Sequence, residues 1–145
     1  MAVVTPFLWF DGRAAEAKAL YDSVFHPDGA PASDGGPGLS VSLPGCELLL
    51  FDGGPHHEFN DAISLFVSVD TQDELDRLWE GLGDGGTPVQ CGWLHDRFGV
   101  RWQIVPSLLG TLLGDSDRER AGRVHQAMLG MVKLDMAGLQ AAYDG

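Results

Sequence analysis

Cysteine is scarce. The 145 residues hold two, Cys46 and Cys91. That is too few for a disulfide framework, and neither sits in a Cys-x-x-Cys pair of the kind that binds zinc or cycles redox state. A reducing, cytoplasmic setting is therefore expected. Positive charge is scarce as well: 9 Lys and Arg stand against 21 Asp and Glu, for a formal net charge of -12. Such a surface repels phosphate backbones and anionic lipid, which argues against nucleic-acid and membrane partners. No apolar run approaches the roughly 20 residues that span a bilayer. The opening MAVVTPFLWF has neither a basic n-region nor a long apolar core, so no signal peptide is expected. The chain also lacks GxGxxG and P-loop patterns, so no nucleotide cofactor is expected.

What remains is an ordinary globular composition, with 44% apolar and 21% charged residues, long enough for one domain with a sizeable core. Two stretches share a pattern. VVTPFLWFDGRAAEAKALYDSVF reads as an apolar strand, an Asp11-Gly12 corner and a helix whose Ala14, Ala17, Leu20, Tyr21 and Val24 fall on one face. AISLFVSVDTQDELDRLWEGLG repeats this, with a strand over 63–69 and Leu75, Leu78, Trp79 and Leu82 at helical spacing. Thr71 and Glu74 form a capping box. Asp11 and Asp70 stand at matching corners, where each can accept from free helix N–H groups.

Each half continues in short strands. GLSVSLPGCELLLFDGG is two apolar runs around Pro44-Gly45, a hairpin signal. TPVQCGWLHD and GVRWQIVP flank Arg97-Phe98-Gly99 and read as a second pair. An open sheet with one apolar face cannot bury it alone, so the two modules must pack together or against a partner chain. Residues 26–38 are rich in Pro, Gly, Asp and Ser and read as a loop. Asp-Gly-Gly recurs at 34, 52 and 84 and marks turns that need positive φ. After Pro106 the pattern is helical: SLLGTLLG, then a helix capped by Ser116 and Glu119 with a stripe of Ala121, Val124, Met128 and Met131, then a last helix capped by Asp135.

The strings GGPHHEFNDAISLFVSVDTQDELDRLWEGL, QCGWLHD, GVRWQIVP and RVHQAMLGMVKLDMAGLQAAY, with the opening TPFLWFDGRAAEAKALYDSVF, resemble the PhnB-like family. That family is often labelled 3-demethylubiquinone-9 3-methyltransferase and belongs to the vicinal oxygen chelate superfamily, with glyoxalase I and extradiol dioxygenases. The likeness covers the chain except the 26–38 loop. It implies an α+β fold of two βαβββ modules, near 1–55 and 60–106, with a helical tail over 107–145. It also implies a homodimer and a ligand cavity in the curved sheet. The methyltransferase label gains nothing from the residues, because a conventional S-adenosylmethionine enzyme needs a Gly-rich turn after its first parallel strand.

Metalloenzymes of the superfamily draw His, Glu or Gln ligands from inward strand positions, and by resemblance Gln103 falls where a last-strand ligand sits. The other strands offer Thr5, Phe7 and Trp9, or Leu49 and Phe51, or Ser64, Phe66 and Ser68, and none carries a histidine. One neutral amide among hydroxyls and aromatics does not hold a divalent ion against water, so neither a metal nor another cofactor is expected. His56, His57 and Glu58 are consecutive, which makes joint chelation awkward. The candidate ligand-binding residues are Gln103, Trp9, Phe7, Trp93, Asp52 and Cys91, with Gln103 orienting a small apolar or aromatic compound and the tryptophans flanking it. Cys91 could pair with His95, four residues on, although a small buried thiol is the plainer role. Alternation sends Trp102 to the face opposite Gln103, and Arg101 is expected to turn away from Gln103. The first expectation is thus a metal-free small-molecule binding protein. The alternatives are a metal-dependent lyase, isomerase or dioxygenase, and an interaction module docking through Val124, Met128 and Met131.

Overall fold

The computed structural model describes residues 1–31 and 38–145. The turn expected at Asp34-Gly35-Gly36 falls outside the described residues. The chain divides into two compact units, Met1–Phe59 and Asn60–Gly145.

In the first unit, strand β1 (Phe7–Phe10) leads into helix α1 (Ala14–Phe25), followed by β2 (Leu39–Leu43) and β3 (Cys46–Asp52). The sheet order is β1-β3-β2, with β1 parallel and β2 antiparallel to β3. Alternation sorts the side chains. Leu8, Phe10, Val41, Leu48 and Leu50 are buried, as is the expected α1 face of Ala14, Ala17, Leu20, Tyr21 and Val24. At the other parity Phe7 pairs with Leu49 and Trp9 with Phe51, and Phe7 and Phe51 are exposed. Among the described residues this unit is βαββ, one strand short of the expected module. The α1 cap also differs from expectation. Asp11 does not cap the helix; Asp52 Oδ1 accepts from Ala14 N at 2.9 Å, from the end of β3. The parallel register that sets Phe10 beside Asp52 brings that carboxylate to the helix start.

In the second unit, β4 (Leu65–Val69) leads into α2 (Gln72–Gly83), and β5 (Thr87–Pro88), β6 (Trp93–His95) and β7 (Arg101–Pro106) complete a βαβββ module. The order is β4-β7-β6-β5, with β4 parallel to β7 and the other pairs antiparallel. Thr71 caps α2 as expected, accepting from Glu74 N, whereas Asp70 instead accepts from the Ser107 hydroxyl at 2.7 Å. The apolar side of the sheet, Val69, Leu94, Trp102 and Ile104, is buried, and so are Leu75, Leu78 and Leu82 of α2. The run 87–96 is not one strand. A short 3-10 turn at Gln90–Gly92 interrupts it, with Cys91 at φ 61. Its N–H and that of Gly92 donate to Met131 O and Val132 O, so the turn bonds to the tail rather than to the sheet.

Three helices follow: α3 (Ser107–Leu113), α4 (Arg118–Leu129) and α5 (Met136–Asp144). Asp117, not Ser116, caps α4, accepting from Glu119 N and Arg120 N. Asp135 caps α5 through Ala137 N as expected. Ala121, Val124, Leu134 and Leu139 are buried in this unit. Val124, at 0% exposure, is core, which removes it from any docking stripe. No helix among the described residues is long and apolar enough to cross a membrane.

Candidate functional site

Strand register builds one polar and aromatic row on the open face of the second unit's sheet. Gln103 stands on the central strand β7. Phe66 of β4 is its neighbour on one side and Trp93 of β6 on the other. Trp102, at the opposite parity, is fully buried beneath, as alternation requires. Gln103 and Trp93 are half-buried, and Phe66 is 60% exposed. Gln103 Nε2 donates to Ser64 Oγ at 2.8 Å. An amide carries both a donor and an acceptor group, so one end is spent holding the side chain and the other remains for a second partner.

The next row is charged. His95 is the register partner of Arg101. Arg101 lies two residues before Gln103 and therefore shares its face; the expectation that it turns away is corrected by the period of two. Asp61 Oδ1 accepts from Arg101 Nε at 2.9 Å and lies 3.0 Å from His95 Nε2. The Arg101 hydrogen bond, helped by His95, holds the Asp61 carboxyl below its usual range despite some desolvation. Arg101 Nη1 donates to Gly99 O.

The turn between β6 and β7 is set by Asp96, the one buried charged residue among the described residues. Its Oδ1 accepts from Phe98 N and Val100 N, and its Oδ2 from Trp102 Nε1, all at 2.9 Å. One carboxylate thus shapes the turn, orients the core tryptophan and fixes which residues of β6 and β7 face each other.

The remaining expected residues lie elsewhere. Phe7 and Trp9 are in the first unit, in an aromatic cluster with Phe51 and His57: ring centroids are 5.5 Å apart for Phe7–Phe51, 5.3 Å for Trp9–Phe51 and 4.8 Å for Trp9–His57. Trp9 Nε1 donates to Gly54 O, and its ring lies over Gly53, where an added Cβ would fall 2.0 Å from Cζ2. Asp52 is spent on the α1 cap. Cys91 Sγ lies 3.6 Å from Met128 O, while His95 turns to Asp61, so no Cys91–His95 pair forms. Asp61 was not among the expected residues, and Phe66, His95 and Arg101 were weighed only in other roles. Counting by two along β7 from Gln103 reaches Arg101, but the partners on β4 and β6 needed the register.

Donor chemistry around Gln103 does not fit a catalytic metal. Its neighbours are a hydroxyl and two aromatic rings, and among the described residues no three His, Cys, Asp or Glu side chains converge as a metal centre requires.

Residues 37–105 match the model of a family described as 3-demethylubiquinone-9 3-methyltransferase. A PhnB protein from Bacillus cereus is similar in structure, with a TM-score of 0.60 at 28% identity over 73% of this chain and 100% of that one. The chain resembles the PhnB-like family over this segment. A Pseudomonas aeruginosa protein is also similar in structure, with a TM-score of 0.57 at 22% identity over 72% of this chain and 96% of its own. A glyoxylase/bleomycin resistance protein/dioxygenase domain from Frankia also aligns, with a TM-score of 0.47 and 17% identity over 72% of this chain and 92% of that one. No curated protein matches. The matched segment 37–105 contains Ser64, Phe66, Trp93, His95, Arg101 and Gln103 of the open sheet face.

Proposed function

We propose that this PhnB-like chain is a small-molecule binding protein that works without a metal. Its ligand lies on the open face of the second unit's sheet, in contact with Gln103, Trp93 and Phe66. The observation that carries the reading is the row itself. A side-chain amide held by Ser64 at 2.8 Å stands between two aromatic residues on paired strands. Aromatic faces take up planar apolar surface, and a fixed amide gives that surface a direction. Because the rotamer is already held by Ser64, little side-chain entropy is lost on binding. The family resemblance argues for two copies per particle. Methyl transfer finds no support in the donor set, which lacks the Gly-rich turn and acidic ribose partner of a conventional nucleotide site.

Native mass spectrometry on protein purified without chelators tests this reading. The expected spectrum is a dimer that carries an organic adduct and no metal, with the adduct lost in Gln103→Ala. One divalent ion per chain would overturn the reading and favour metal-dependent lyase, isomerase or dioxygenase chemistry.

A further inference from the structure

The charged row beside Gln103 has a construction that the reading above does not use. Its two donors are part of the sheet: the Arg101 side chain is 18% exposed and that of His95 27%, on the hydrogen-bonded strands β7 and β6. Their shared acceptor is not. Asp61 lies in the segment before β4, and its side chain is 66% exposed. Both donors reach the same oxygen, Oδ1. A carboxylate is therefore delivered from a loop into a two-donor seat held by paired strands. Two residues along β7 place that seat about 7 Å from Gln103, within the span of one bicyclic ligand.

We infer that Arg101 and His95 are a carboxylate seat of the binding face, and that Asp61 is its internal occupant, displaced when a planar aromatic carboxylate binds across Gln103. This deepens the proposed function and rests on it. Exchanging one carboxylate for another preserves the charge balance on the face, so no new unpaired ion is created. The guanidinium fork suits the incoming group because it offers planar, charge-assisted donors. The exchange also defines the ligand: an anion joined to an aromatic surface, admitted locally by a chain whose overall charge of -12 repels anions in general.

The test uses the full chain with two probes, 2-naphthoate and its neutral counterpart 2-naphthamide, measured by isothermal titration calorimetry. Asp61→Asn removes the competing charge and leaves Arg101 seeking an anion. The expected result is naphthoate binding about tenfold tighter to D61N than to the unmodified chain, the scale of one charge-assisted hydrogen bond, with naphthamide binding changed by less than about twofold. Arg101→Gln should abolish the preference for naphthoate, and His95→Gln should reduce it; the second variant serves if the first fails to fold. Naphthoate binding no tighter to D61N than to the unmodified chain would overturn the seat and make Asp61 a structural brace. Naphthamide binding that depends on Gln103, with naphthoate excluded, would overturn the seat while leaving the proposed function standing. Binding of neither probe would overturn both.

Discussion

Replacing Asp96 tests the link between core and site most sharply. The side chain is 3% exposed and accepts from Phe98 N, Val100 N and Trp102 Nε1. Truncation to alanine leaves those N–H groups without this acceptor, and the Val100 and Trp102 bonds are buried. Each orphaned buried donor costs about 1–3 kcal/mol. The combined loss for Asp96→Ala should be about 3–5 kcal/mol, a fall in Tm of roughly 10 °C for a domain of this size. Asp96→Asn is more diagnostic. Its Oδ1 can still accept from the two backbone groups, but its amide nitrogen would face the indole N–H, donor against donor, at a cost of about 2 kcal/mol. Trp102→Phe removes that indole donor. In the Trp102→Phe background the Asp96→Asn penalty should therefore shrink by about 1 kcal/mol or more, a coupling readable in a double-mutant cycle. Scanning calorimetry is the assay, because it resolves separate transitions of two compact units. Additive penalties, equal within about 0.5 kcal/mol, would refute the claim that the Asp96 carboxylate orients Trp102.

Three further outcomes are expected. Gly53→Ala should push the Trp9 ring off its seat, because the new Cβ would fall 2.0 Å from Cζ2; overpacking of this kind costs about 1–3 kcal/mol, and unchanged melting and tryptophan emission would contradict it. Asp117→Ala should lower stability by about 1 kcal/mol through loss of the α4 cap, read by urea unfolding. The Asp115 carboxyl is held below its ordinary value of 3.8, chiefly by the Tyr143 hydroxyl and then by Asp117 N–H. A lowered folded pKa contributes stability above that ordinary value and loses it as pH falls through the lowered one. The protection factors of the α5 amides, corrected for the intrinsic pH dependence of exchange, should therefore hold at neutral pH and fall only in acid, and Asp115→Asn should remove that acid step.

Much of the fold was legible because its signals are local. The strand–helix–strand repeat, the Thr71 and Asp135 caps and the buried face of α1 all follow from spacing within a dozen residues. The errors share a cause. Asp52 caps α1 across 38 residues of sequence, a contact that register creates and local reading assigns to Asp11. Cys91 breaks an apolar stretch with a left-handed backbone that no residue type there announces, since positive φ favours glycine. Ser116 and Asp117 are both good caps, and the helix took the second. On the candidate face, the place of Gln103 on β7, opposite in parity to buried Trp102, was legible from alternation. Phe66, His95 and Asp61 were not, because which strand lies beside β7, and in which register, is decided by tertiary packing.

The most direct measurement is a 1H–15N NMR titration with 2-naphthamide, following the Gln103 side-chain amide and the Trp93 indole N–H. The account predicts that both signals shift together with the backbone amides of β4, β6 and β7, and that Gln103→Ala abolishes the effect. Saturable binding with those two signals unmoved would contradict it.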